Sequence, residues 1–203
     1  MKRPALPPPR AAGIALALAV TALFAGLGPP TGARAEAAFQ APAAASPQAP
    51  DPWAPFRFFV GRWQGNGDGP GGPFTCRMEF QLVLGGHFLQ VKADAKAEPS
   101  AKMPVGYSGE DTGYIGYDAA VKIYSLRQFR SDGTAGLFVC RKVLDEGKTF
   151  IFVSRPEDGA SGAPRWKATY KITGPQDFSL TVETAAPDKD YEKVAAAVFK
   201  KTR

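Results

Sequence analysis

A single histidine, His87, stands among the 203 residues, and only two cysteines, Cys76 and Cys140, accompany it. One imidazole leaves little scope for a Ser-His-Asp machine, and "GYSGE" (106–110) is not the G-x-S-x-G turn that presents a nucleophilic serine. Two thiols and one imidazole are also too few for a structural zinc site, so no metal is expected. Asp111-Thr112-Gly113 has the letters of an aspartic-protease triplet, but Ser108-Gly109-Glu110 precede it where apolar residues are required. It reads as a turn at the start of a strand. Helical periodicity is also scarce, apart from a possible turn at "PWAPFRFF" (52–59).

Positive charge is less abundant than the total suggests. The formal net charge is +6, and Lys2, Arg3, Arg10 and Arg34 supply four of those charges within residues 1–35, which hold no acid. That segment has the build of a signal peptide: a basic start, the apolar run "AAGIALALAVTALFAGLG" (11–28), and Ala33-Arg34-Ala35 as a small-x-small cleavage site. Cleavage leaves a chain near +2, too weakly basic to suggest nucleic acid as a partner. It also removes the one run approaching the length of a membrane span. The expected location is outside the cytoplasm, most simply the periplasm.

Residues 36–55 are rich in Ala and Pro and nearly uncharged, a composition that buries too little surface to offset its ordering entropy. They read as a flexible tether. Residues 56–203 remain, enough for one domain with its own core.

Within that domain, short runs alternate between apolar and polar residues. In "RWKATYKIT" (165–173), Trp166, Ala168, Tyr170 and Ile172 face one way and Arg165, Lys167, Thr169 and Lys171 the other. Period two means strands with one buried face. About ten such segments occur, near 58–66, 73–84, 87–96, 112–118, 121–129, 134–143, 148–155, 164–173, 177–185 and 193–202. Turn residues such as "LGG" (84–86), "SDGT" (131–134) and "DEGK" (145–148) separate them. The expected fold is all-β, an up-and-down antiparallel barrel whose closure hides its sheet edges. A barrel of this strand number has room for a ligand.

Gly67, Gly69 and Gly72 spell G-x-G-x-x-G, the phosphate-binding fingerprint of dinucleotide folds. That motif needs a helix directly after the glycines. Here "FTCRMEFQLVL" (74–84) follows with strand alternation. The glycines are therefore expected to form an exposed hairpin loop over 66–72. Cys76 and Cys140 fall on the second and sixth strands, which a simple meander places across the barrel. A disulfide needs Cα atoms within about 7 Å, so two buried free thiols are expected.

The candidate pocket residues are Arg127, Phe138, Phe152, Trp166, Tyr170 and His87. The four aromatics have core-facing parity and line a hollow barrel or fill a solid one. His87 shares parity with Leu89, Val91 and Ala93, which turns it inward near a barrel end. Arg127 points inward if Val121, Ile123 and Phe129 do. It points to solvent if Tyr124 and Leu126 take the inner face.

Gly61 and Trp63, on the first strand after a short helical turn, resemble the G-x-W signature of the calycin superfamily, which includes lipocalins and fatty-acid-binding proteins. The resemblance implies that Trp63 closes one barrel end with a late-strand cation across its ring, here Arg203 or Lys200. More closely, "FFVGRWQGNG", "LVLGGHFLQV", "GYIGYD" and "KKTR" resemble an uncharacterised bacterial lipocalin-like family, domain of unknown function 1579, related to nitrobindin-type haem barrels. Nitrobindin-like barrels bind haem through a late-strand histidine. Strands 164–202 contain none, so haem is not carried over and no cofactor is expected. The reading that results is an exported barrel that binds or carries a small apolar molecule, as a monomer or homodimer. A tetrapyrrole barrel and a barrel enzyme of isomerase or cyclase type, using interior Arg, Tyr and Glu groups, are the alternatives.

Overall fold

Strands with one apolar face bury it most completely when the sheet curls until its first and last strands pair. The computed structural model, which describes residues 51–101, 103–155 and 163–202, has this form. The signal segment, most of the tether and Arg203 lie outside the described residues. In the barrel unit, Ala49–Arg203, a short 3-10 helix (Ala54–Phe59) precedes ten strands. The first five are β1 (Gly61–Gly69), β2 (Gly72–Val83), β3 (Phe88–Ala97), β4 (Tyr107–Asp118) and β5 (Ile123–Arg130). The others are β6 (Ala135–Leu144), β7 (Thr149–Arg155), β8 (Arg165–Gly174), β9 (Asp177–Ala185) and β10 (Glu192–Lys201). Each pairs antiparallel with its sequence neighbours, and β1 pairs with β10 from Trp63↔Lys201 to Asp68↔Ala196, closing the barrel.

The strands lie within a few residues of their expected positions, with β4 the main exception. It begins at Tyr107 instead of near 112 and runs beside β3 from Ala97↔Tyr107 onward. Its Gly-rich start looks like a loop in isolation, but β3 has backbone donors and acceptors there that need partners. The tether's last residues also differ from expectation. Trp53 is buried, and the Tyr124 hydroxyl donates to the Pro52 carbonyl at 2.5 Å, so the chain joins the barrel from about Asp51.

The 3-10 helix plugs one end. Its buried Phe56 and Phe59 enter the barrel, Phe56 lying 4.6 Å from Phe150 and Phe59 5.2 Å from Phe178 between ring centroids. Phe178 stacks on Phe199 at 4.6 Å with nearly parallel rings. Rings that fill a barrel in edge-to-face and stacked pairs bury large apolar areas in few rotamers.

Trp63 lies in this plug, 1% exposed. Its indole Nε1 donates to the Phe59 carbonyl at 2.6 Å, tying β1 to the helix, and its ring meets Phe178 edge-on at 4.8 Å. The cation over the ring is Lys201, with Nζ 5.2 Å from the centroid and also donating to the Phe58 carbonyl at 3.3 Å. Lys200, one of the two expected cations, is exposed instead. The register explains the difference. Lys201 is the Cα partner of Trp63, so it shares that residue's side of the sheet and Lys200 takes the opposite side. Gly61 adopts φ +123°, and a Cβ there would sit 3.0 Å from Lys201 Cε.

The Gly-rich stretch is less of a loop than expected. Residues through Gly69 belong to β1, Gly69 pairs with Gly72, and only Pro70 and Gly71 turn the chain. A strand, not a helix, follows.

Cys76 on β2 and Cys140 on β6 are both free and buried. Burial, helped by the nearby Asp94 charge, pushes the Cys76 thiol up to about 11. Burial also raises Cys140, whose Sγ donates to the Lys142 carbonyl at 3.3 Å. Neither has the lowered pKa of a reactive thiol.

Candidate functional site: a cavity in the open half of the barrel

Large rings fill the plugged half, but the inner positions of the other half are mostly small. β3 contributes Ala93 and Ala95, β8 contributes Ala168, and β10 contributes Ala195 and Ala197. Their side chains cannot meet across the barrel. A cavity of about 250 Å³ results, bounded below by Tyr170 and Phe199 and reaching Tyr107, itself 52% exposed, at the mouth. That volume holds about eight waters at roughly 30 Å³ each. It lies just under the roughly 300–1,000 Å³ typical of pockets for drug-sized ligands.

The cavity wall has two unlike sides. Trp166, Ala168, Leu180 and Val182, on β8 and β9, make one side apolar. Opposite, β4 and β5 carry three polar side chains into the cavity: Asp111, Gln128 and Arg130. Asp111 is the Cα partner of Arg130, and Gln128 is the partner of the adjacent inward position, Gly113. The Gln128 Nε2 donates to Asp111 Oδ2 at 3.0 Å. Burial pushes the Asp111 carboxyl above the usual carboxylate range, while the Arg130 charge and the Gln128 hydrogen bond pull it back. Arg130 thus acts on Asp111 across a gap, without forming an ion pair among the described residues.

Tyr170 forms part of the floor. It is remote from bulk water, and burial, with the Asp111 charge adding to it, pushes its phenol well above the usual range. It nonetheless keeps part of its surface bare, because that surface faces the cavity instead of packed side chains.

Of the six candidate pocket residues, Phe138, Trp166 and Tyr170 line this cavity. Phe152 is 1% exposed and packs among the rings of the plugged half, 6.4 Å from Phe56 and 5.9 Å from Tyr170. Phe152 is thus core and not pocket lining, and two further candidates also lie outside the cavity. Arg127 is on the outer face, because buried Tyr124 and Leu126 set the inner parity of β5. His87 is exposed on the β2–β3 turn at the plugged end, since the strand starts only at Phe88. Among the described residues no cluster of three or more metal-ligating side chains occurs.

Two features of the sequence hide Asp111, Gln128 and Arg130. Once Tyr124 and Leu126 are placed inward, period two carries Gln128 and Arg130 inward too. Asp111 was hidden because β4 was started one residue after it. The alanines of "KADAKA" (92–97) and "VAAAV" (194–198) are the sequence signal for the void.

No family model matches the chain, and no curated protein does. Among solved structures, Rv2717c from M. tuberculosis is similar with a TM-score of 0.54 at 16% identity, covering 75% of this chain and 98% of that one. A de novo designed fluorescence-activating β-barrel is similar at a TM-score of 0.36 and 15% identity, over 71% of this chain and 94% of the design. The likeness to Rv2717c shows the barrel fold alone. Among the described residues no helix is long and apolar enough to cross a membrane.

Proposed function

We propose that this protein is an exported, calycin-like barrel that binds or carries a small, largely apolar molecule in its open half. The observation that carries the reading is the 250 Å³ cavity walled by Trp166, Ala168, Leu180 and Phe138 at the end away from the plug. A folded chain has little reason to leave apolar walls unfilled, because closing such a void with larger side chains usually stabilises it. A cavity with a mostly apolar lining and a few convergent polar groups is the ordinary form of a small-molecule site.

Naphthalene is a suitable probe, being compact and without polar groups. Isothermal titration is expected to show saturable binding to residues 36–203. Ala168→Phe, which puts a ring into the cavity, should weaken it at least tenfold while leaving the melting temperature unchanged or higher. Equal binding by both proteins would remove the cavity as the site.

Export rests on the basic n-region, the apolar run and Ala33-Arg34-Ala35. Protein recovered from the envelope of an expressing cell is expected to have the mass of a chain starting at Glu36. A full-length mass there would contradict cleavage.

A haem held by histidine, as in nitrobindin-type barrels, does not fit this cavity. His87, the one histidine, lies on a turn at the plugged end, away from the cavity. A barrel enzyme is the second reading, favoured by one observation: Asp111, held above the usual carboxylate range, shares the cavity with Arg130 and Tyr170. Displaced carboxylates beside a cavity often act as acids or bases. Under that reading Asp111→Asn abolishes turnover of a bound ketone or lactone while binding persists.

A further inference from the structure

The charged side chains that the inner parity turns into the cavity, Asp111 and Arg130, share one wall, and their charges are opposed. Arg77 and Asp94 also border the cavity but pair with each other at 3.1 Å. Asp111 and Arg130 face each other across the β4–β5 pair, and Gln128 donates to the Asp111 carboxylate from the adjacent inward position. The β8 and β9 wall is mostly apolar, with Trp166, Ala168 and Val182, and its one inward polar group is the Tyr170 phenol at the floor. Lys167, also at the rim, is engaged by Glu183 at 2.9 Å. A ligand filling the cavity therefore meets the inward charged groups along one edge. There it finds an acceptor and a set of donors side by side.

We infer that the cavity selects a small apolar body bearing one uncharged head group that both donates and accepts hydrogen bonds, of the carboxamide or lactam class. The inference rests on the proposed binding reading and names the class of molecule bound. An amide N–H directed at Asp111 satisfies the carboxylate oxygen that Gln128 leaves open. The amide carbonyl, on the adjacent edge of the same plane, accepts from the Arg130 guanidinium. Both groups are neutral, so the head enters without the full desolvation penalty of an ion.

Charged heads fare worse for complementary reasons. A carboxylate placed against Arg130 gains that attraction but lies next to Asp111, whose like charge opposes it. An ammonium placed against Asp111 is opposed by Arg130 in the same way. The Asp111 and Arg130 charges oppose each other, with Asp132 adding to the negative side, while either ionic ligand still loses its water. Selectivity of this kind works through repulsion of the wrong partner as much as attraction of the right one.

The test uses four probes of one size: naphthalene, 2-naphthamide, 2-naphthoate and 2-naphthylmethylamine, titrated calorimetrically at neutral pH. In the wild-type protein 2-naphthamide is expected to bind at least tenfold tighter than the naphthoate and the ammonium. Two variants invert the order in opposite senses. Asp111→Asn keeps an acceptor for Gln128 and leaves Arg130 unopposed, so naphthoate becomes the tightest ligand. Arg130→Met leaves Asp111 unopposed, so the ammonium does. Naphthalene has no head group and is expected to bind all three proteins alike, which also shows that the variants are folded. If naphthalene binds but the head groups are not distinguished, or if naphthoate is already tightest in the wild type, the inference is overturned and the cavity reading stands. If no probe binds, including naphthalene, the cavity reading itself falls and this inference with it.

Discussion

Replacing Trp63 with alanine is expected to destabilise the barrel by about 3–5 kcal/mol, the range for truncating a fully buried aromatic. For a domain of this size that corresponds to a melting temperature lower by roughly 6–20 °C, at about 2–4 °C per kcal/mol. Three losses combine. The indole's contacts with Phe178 and Phe58 disappear, and the resulting void is walled by rings that cannot collapse into it. The Phe59 carbonyl loses the 2.6 Å hydrogen bond that ties the plug helix to β1. Lys201 is left with its ammonium near an emptied, apolar space. A cation over an indole contributes roughly 0.5–2 kcal/mol, so Lys201→Met, which keeps the stem, is expected to cost a smaller share. The check is thermal unfolding of both variants followed by near-UV circular dichroism. A Trp63→Ala protein that melts with the wild type would remove Trp63 as the closure of the barrel end.

Gly67→Ala should be the other severe substitution, although its place in a Gly-rich hairpin suggests tolerance. A Cβ at Gly67 would lie 2.5 Å from the Ala196 carbonyl oxygen and 2.5 Å from Phe74 Cζ. The Phe74 ring can swing aside, but the carbonyl belongs to β10, the strand that closes the barrel on β1. Relief of the clash therefore means parting that seam. Overpacking of this kind typically costs about 1–3 kcal/mol, or roughly 2–12 °C at the same scaling. An opened seam also exposes two strand edges that a closed barrel hides, and such edges pair with other molecules. Gly67→Ala is thus expected to melt lower and to form oligomers on size-exclusion chromatography. Gly69→Ala is the control, since a Cβ there meets Phe74 at an ordinary 3.5 Å. Equal melting of the two alanine variants would show that the seam yields more easily than this geometry implies.

Alternation was legible where each strand has a decisive inner face. "RWKATYKIT" and "DFSLTVET" show their buried side at a glance, and β8 and β9 lie within a residue of their expected bounds. β5 was not decisive, because Val121, Ile123 and Phe129 compete with Tyr124 and Leu126 for the interior. Tertiary packing breaks the tie: Tyr124 meets Phe56 of the plug helix edge-on at 4.7 Å, a contact 68 residues away in sequence. That one choice of face moved Arg127 out of the barrel and Arg130 into it. The polar wall was invisible for as long as the parity of β5 was open. His87 illustrates a different limit. Parity assigns a side only within a strand, and the residue lies one position before β3 begins.

The plug at one end and the hollow at the other also bear on how such a chain changes over time. Rings from the helix and from β2, β7, β9 and β10 hold the barrel shut whatever lines the far half. Positions such as Ala93, Ala168 and Ala195 can then exchange one small or medium side chain for another, reshaping the hollow with little threat to closure. Two descendants of one ancestor can keep the same ten strands and the same sealed end while accommodating quite different guests. For barrels built this way, shared architecture is a poor guide to the occupant, and the few residues around the hollow are where divergence should be sought.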